Sequence, residues 1–164
     1  MLRFIVMRHA KSVPATVDLP DHQRSLTARG RRDALGVARA IATLGWSPQR
    51  VLSSDSRRTR ETWERMIEAF AESPEVRFDR QLYLPSVDDF ESVVLAQHGD
   101  VRTLLTLAHN SGCEDLVAHL TDAAVVMKTS YAVLLHTDAP TWTEAFRPGA
   151  FAIADVVGPP PRDS

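Results

Sequence analysis

A single cysteine, Cys113, excludes any internal disulfide. That agrees with a reducing compartment, and a cytoplasmic location is expected. Lysine is nearly absent. Lys11 and Lys128 are the only two, and every other basic side chain is an arginine, whose planar fork suits oxyanions. No apolar run approaches transmembrane length, so no membrane partner is expected. The opening Met-Leu-Arg-Phe-Ile-Val-Met is too short for a signal-peptide core and stops at Arg8 and His9. An excess of charge of one sign is lacking as well. The formal net charge is −2, which gives the whole molecule no pull toward nucleic acid, and no such partner is expected. Cysteine pairs and His-x-x-x-His pairs are also missing. Zinc sites draw on such close-spaced sets, so neither a metal nor a cofactor is expected.

What is present suits one domain with one core. The 164 residues divide into an expected domain over 1–157 and a proline-rich tail, 158–164, expected to lack fixed structure. Residues 2–7 read as a buried strand with an abrupt polar stop. Thr27 is placed to cap a helix over 28–44 with Leu35, Ala38, Ile41 and Ala42 at helical spacing, ended by Gly45. Further strands are expected at 50–53, 76–79 and 102–108. Helices are expected at 56–72, 86–98 and 110–122. Segments 130–136 and 150–157 read as two closing strands, antiparallel or at an edge. Strands alternating with helices imply an α/β domain: a three-layer sandwich with a mostly parallel central sheet flanked by helices.

Ligands of such sheets bind beyond the carboxyl ends of the strands. Three of those ends carry chemistry. The first delivers Arg8-His9-Ala10-Lys11-Ser12, the second Ser53 to Thr59, and the fourth His109-Asn110-Ser111-Gly112. Two histidines and at least two arginines therefore converge. Neutral imidazole is a nucleophile toward phosphorus near neutral pH. Guanidinium forks neutralise the oxygens of a transferring phosphoryl group. A helix start after His109 adds backbone donors, and a protonated second histidine would add another. Three or four cationic groups would then replace a metal. Alone, His9 is an ordinary packed histidine and Arg58 an ordinary surface ion-pair partner; together the four residues point to phosphoryl transfer. His22, His98, His119 and His136 read as surface or packing residues, Arg57 and Arg60 as exposed, and Cys113 as buried.

The motifs also resemble a known family. Arg8-His9-Ala10 is similar to the Arg-His-Gly signature of the histidine phosphatase superfamily, the phosphoglycerate mutase-like fold. Residues 21–30, Asp-His-Gln-Arg-Ser-Leu-Thr-Ala-Arg-Gly, resemble the Arg-Pro-Leu-Thr-x-x-Gly segment of its short SixA-type phosphohistidine phosphatases, with Ser25 in place of proline. Ser53 to Thr62 resembles Ser-Ser-Pro-x-x-Arg-Ala-x-Gln-Thr. Residues 108–116 resemble Gly-His-Asn-Pro-Gly-x-Glu-x-Leu. The resemblance implies His9 as the covalent nucleophile, with Arg8, Arg58 and His109 holding the phosphoryl group. Arg24 is a further phosphate contact, and Asn110 and Ser12 are candidate substrate contacts. Asp55, Ala108 and Ser111 depart from the pattern where backbone shape is set.

Larger members of that family protonate the leaving group with an inserted glutamate. Residues 80–92 lack the Leu-x-Glu pattern, and Asp88, Asp89 and Glu91 look like a helix start, where carboxylates favour the dipole. Asp21 is the remaining candidate acid. A chain poor in acids suits phosphohistidine on a protein, of the histidine-phosphotransfer kind, because imidazole leaves readily. The alternatives are a phosphatase of small phosphate esters and a non-catalytic phosphate-recognition module.

Overall fold

The structure, a computed structural model, describes residues 1–162. Strand β1 (Leu2–Arg8) is followed by α1 (Ala28–Thr43), β2 (Arg50–Ser54), α2 (Arg57–Met66), β3 (Glu75–Asp79), α3 (Val87–Gln97), β4 (Thr103–Ala108), α4 (Gly112–Thr121), β5 (Ala132–Thr137), α5 (Trp142–Ala145) and β6 (Ala152–Val157). Six strands form one sheet in the order β3-β2-β4-β1-β5-β6. The first four run parallel, and β5 pairs antiparallel with both β1 and β6. The expected mixed sheet and its two antiparallel closing strands are present.

Strand alternation sorts the core into two layers. Leu2, Phe4 and Val6 of β1 pack on one face with Phe90, Val93 and Val94 of α3 and Leu116, Val117 and Leu120 of α4. Ile5 and Met7 pack on the other with Val37 and Ile41 of α1 and Trp63 and Met66 of α2. Each such side chain, fully buried, contributes about 1.5–3 kcal/mol. Because β1 lies between two strands and both its faces are covered, it reads as a continuous apolar run.

Three details differ from the sequence reading. The buried stripe of α1 is Ala34, Val37, Ala38 and Ile41, with Leu35 and Ala42 at its half-buried edges. The helix expected over 56–72 ends at Met66. A 3-10 turn, Ile67–Ala69, then brings Phe70 back over Trp63 at 6.0 Å, so the apolar spacing outlasts the helix. The single turn of α5 is too short for any periodicity to mark it. Of the segment expected to lack fixed structure, Gly158 lies against Tyr131 and Pro160 against Gly36. Asp163 and Ser164 lie outside the described residues.

What positions the site is the middle of the sheet. β1 and β4 are neighbours in parallel, Arg8 opposite Ala108. The helix after β1 covers one face and the helix after β4 covers the other. A crevice therefore opens between their carboxyl ends, and the next residues are His9 and His109.

Candidate active site

His9 is held by its own backbone. Its amide donates to the Ala108 carbonyl at 3.0 Å, and its carbonyl accepts from the Ser130 amide at 2.9 Å. The imidazole Nδ1 donates to the Ala10 carbonyl at 2.7 Å. That places the ring proton on Nδ1 and leaves the lone pair on Nε2. Burial lowers the His9 pKa to about 3, aided by the Arg58, Arg8 and Arg24 cations and opposed by the Ala10 carbonyl. The ring is thus neutral at physiological pH.

Arg58 is only 2% exposed. It sits on the first turn of α2, whose start Ser56 caps by accepting from the Thr59 amide. Its Nε donates to His9 Nε2 at 3.2 Å, and its Nη2 to His109 Nδ1 at 3.1 Å. Asp21 takes two further bonds, Nη1 to its carbonyl at 2.8 Å and Nη2 to its Oδ2 at 3.1 Å. Arg57, one residue away, points outward to Glu61 at 3.0 Å, as expected from the helical rotation.

His109 corrects one expectation. With Nδ1 accepting from Arg58, its one proton is on Nε2 and goes to Ser54 Oγ at 2.8 Å. Burial brings its pKa to about 2, and the neighbouring His9 and Arg58 push the same way. It is a neutral ring locked between an arginine and a serine, not a protonated donor. Its centroid lies 5.2 Å from that of His9.

Asp21 corrects a second. Burial alone would raise its pKa, but the Tyr83 hydroxyl and the Arg58 and Arg24 cations outweigh it and hold the carboxyl at about 2. A group already ionised at neutral pH has no proton to donate. Asp89 is likewise committed, closing a capping box with Ser86 at the start of α3.

The remaining expected residues divide. Arg8, His9, Lys11, Ser12, Arg24 and Thr129 line a cavity of about 480 Å³ at the sheet's carboxyl edge. Asn110 does not open into it. Its amide nitrogen binds Glu114 and the Met127 carbonyl, both at 2.9 Å. Arg8 donates Nη1 to the same Met127 carbonyl at 3.0 Å, and its buried Nε has no partner. Asn110 therefore fixes the loop that holds Arg8. The helix start after His109 meets the chain at Pro85. A Cβ on Gly112 would lie 2.2 Å from the Pro85 carbonyl oxygen, so only glycine lets these backbones meet. Gly30 has the same role against the Lys11 carbonyl, at 2.1 Å.

Sequence reasoning missed Tyr83 and the bond from His109 to Ser54, and His22, read as a surface or packing residue, is a packing residue. Tyr83 donates its hydroxyl to Asp21 Oδ2 and stands edge-on to His109 at 5.3 Å. His22 Nε2 bonds Asp55 Oδ1 at 2.7 Å. That bond ties the Asp21–Gln23 turn to the β2–α2 loop, which accounts for an aspartate at the position where Asp55 departs from the family pattern. The one available signal was that departure itself. Among the described residues, no group of three or more His, Cys, Asp or Glu is placed to hold a metal ion. Among the same residues, no helix is long and apolar enough to cross a membrane.

Comparison with known proteins bears on this geometry. The family model of the histidine phosphatase superfamily (branch 1) matches residues 4–83. An uncharacterised chloroplastic protein of Arabidopsis thaliana is 34% identical over 170 residues, covering 96% of this chain and 78% of its own length. The protein histidine phosphatase SixA, solved with tungstate, superposes with a TM-score of 0.81 at 20% identity over 96% of this chain and 97% of that one. A mycobacterial glucosyl-3-phosphoglycerate phosphatase superposes with a TM-score of 0.66 at 16% identity, over 93% and 97%.

Proposed function

Because the chain belongs to the histidine phosphatase superfamily, branch 1, we propose that it transfers a phosphoryl group to His9 and then to water, with phosphohistidine on a protein as its substrate. His9 Nε2 attacks phosphorus in line as the bond to the leaving group breaks. Arg8, Arg58 and Arg24 take the charge on the phosphoryl oxygens. Water then displaces His9 and releases phosphate.

The observation that carries the substrate choice is the state of the carboxylates. Asp21 is ionised and Asp89 is spent on a helix cap, so neither of these carboxyls brings a proton to a leaving group. An alkoxide leaving group suffers from that lack by roughly 10²–10⁴-fold. Imidazole departs without such help. The shared fold of the mycobacterial glucosyl-3-phosphoglycerate phosphatase supports a second reading, a phosphatase of small phosphate esters.

The two separate on leaving groups. kcat/KM across aryl and alkyl phosphates should fall steeply with leaving-group pKa, alkyl esters being slower than phosphohistidine protein by at least ~10²-fold. A flat dependence would move the assignment to small esters. Turnover should also survive dialysis against EDTA, since arginines supply the charge neutralisation a metal gives elsewhere. Loss on chelation with rescue by one added metal would refute that.

A further inference from the structure

The guanidinium group of Arg58 has five N–H donors, and four are in use. Nε is on His9, one Nη1 hydrogen on the Asp21 carbonyl, and both Nη2 hydrogens on Asp21 Oδ2 and His109 Nδ1. The fork that would grip a phosphoryl oxygen therefore already grips a carboxylate oxygen. Arg24, in the cavity wall, gives its Nε to the other oxygen, Asp21 Oδ1, at 3.0 Å. One carboxylate bridges the two arginines that a phosphate would bridge. It faces solvent on one side: the Asp21 side chain is 42% exposed, whereas that of Arg58 is 2% exposed.

We propose that Asp21 is a resident counter-anion of the phosphate pocket, which competes with phosphate for Arg58 and Arg24 and so drives the product out. The proposal rests on those two arginines as phosphate ligands and not on which substrate delivers the phosphate. A pocket built only of cations would hold inorganic phosphate tightly after each turnover. A carboxylate tethered beside the same arginines repels the dianion and replaces it on the same donors. Tyr83 completes the device by hydrogen-bonding Asp21 Oδ2, which keeps the carboxylate aimed inward between turnovers.

Anion binding by the full chain tests this without turnover. Inorganic phosphate and tungstate would be titrated calorimetrically into the wild type, Asp21→Asn and Asp21→Glu, with folding checked by circular dichroism. Asp21→Asn should bind both anions at least about tenfold more tightly, because one like charge is gone. Asp21→Glu keeps the charge and should stay near the wild type. In steady state, Asp21→Asn should lower KM and kcat together and lower the inhibition constant of phosphate. Should the asparagine variant not fold, Asp21→Ser carries the same expectation. Unchanged or weaker anion binding in the neutral variants would overturn the proposal and make Asp21 a tether that only positions Arg58.

Discussion

His9→Ala is expected to yield no covalent phosphoenzyme and to lower kcat/KM by at least about 10³-fold. The wild type, quenched rapidly with labelled substrate, should give an acid-labile, base-stable adduct. The expectation follows from tautomer and charge. The Ala10 carbonyl takes the Nδ1 proton, and a pKa of about 3 keeps Nε2 unprotonated. Adduct yield at saturating substrate should therefore stay level from pH 8 to pH 5. An imidazole with its ordinary pKa of about 6.5 would lose nucleophile across that range. His109→Ala serves as the contrast. Its ring accepts from Arg58 and donates to Ser54 and, unlike His9, does not line the cavity, so that variant should still form the adduct, more slowly. Wild-type labelling in His9→Ala, or lost labelling only in His109→Ala, would reverse the assignment.

The parts of this site that sequence made legible are those fixed by a strand end or a helix start. An apolar run that stops at Arg8 and His9, and another that stops at His109, place both histidines beyond the sheet. The choice of Arg58 over Arg57 came from the family pattern, and helical rotation separates the two. The parts that stayed hidden are set by long-range neighbours. Asp21 looked like an acid because nothing near it in the chain shows that Arg58 and Tyr83 reach it from 37 and 62 residues away. Asn110 looked like a substrate contact because its binding to Glu114 and Met127 depends on how the loop before β5 folds back. The neutral state of His109 depends on burial, which spacing does not report. Strand order is a third case. Alternating strands and helices imply a parallel sheet, but that β4 inserts between β1 and β2 follows only from the packed structure.

Arg58→Ala is expected to cost at least ~2–3 kcal/mol in transition-state stabilisation, about 30- to 150-fold in kcat/KM, whereas Arg57→Ala should change it less than about twofold. Arg58 touches His9, His109 and Asp21 at once. Arg57 makes one exposed pair with Glu61, of the kind that contributes ~0.3–0.5 kcal/mol. The two substitutions should also differ in stability. Removing Arg58 leaves His109 Nδ1 and His9 Nε2 without a donor in a buried place, at about 1–3 kcal/mol for each unsatisfied group. Thermal denaturation should therefore show a clear loss for Arg58→Ala and almost none for Arg57→Ala. Arg58→Lys separates charge from shape. An ammonium keeps the charge but cannot reach His9, His109 and Asp21 together as a planar fork does. Its kcat/KM should lie much closer to that of Arg58→Ala than to the wild type. Equal losses for Arg57→Ala and Arg58→Ala would remove Arg58 from the clamp. Full rescue by lysine would mean that a point charge is enough, and that the fork bridging two histidines and a carboxylate has no part in the transition state.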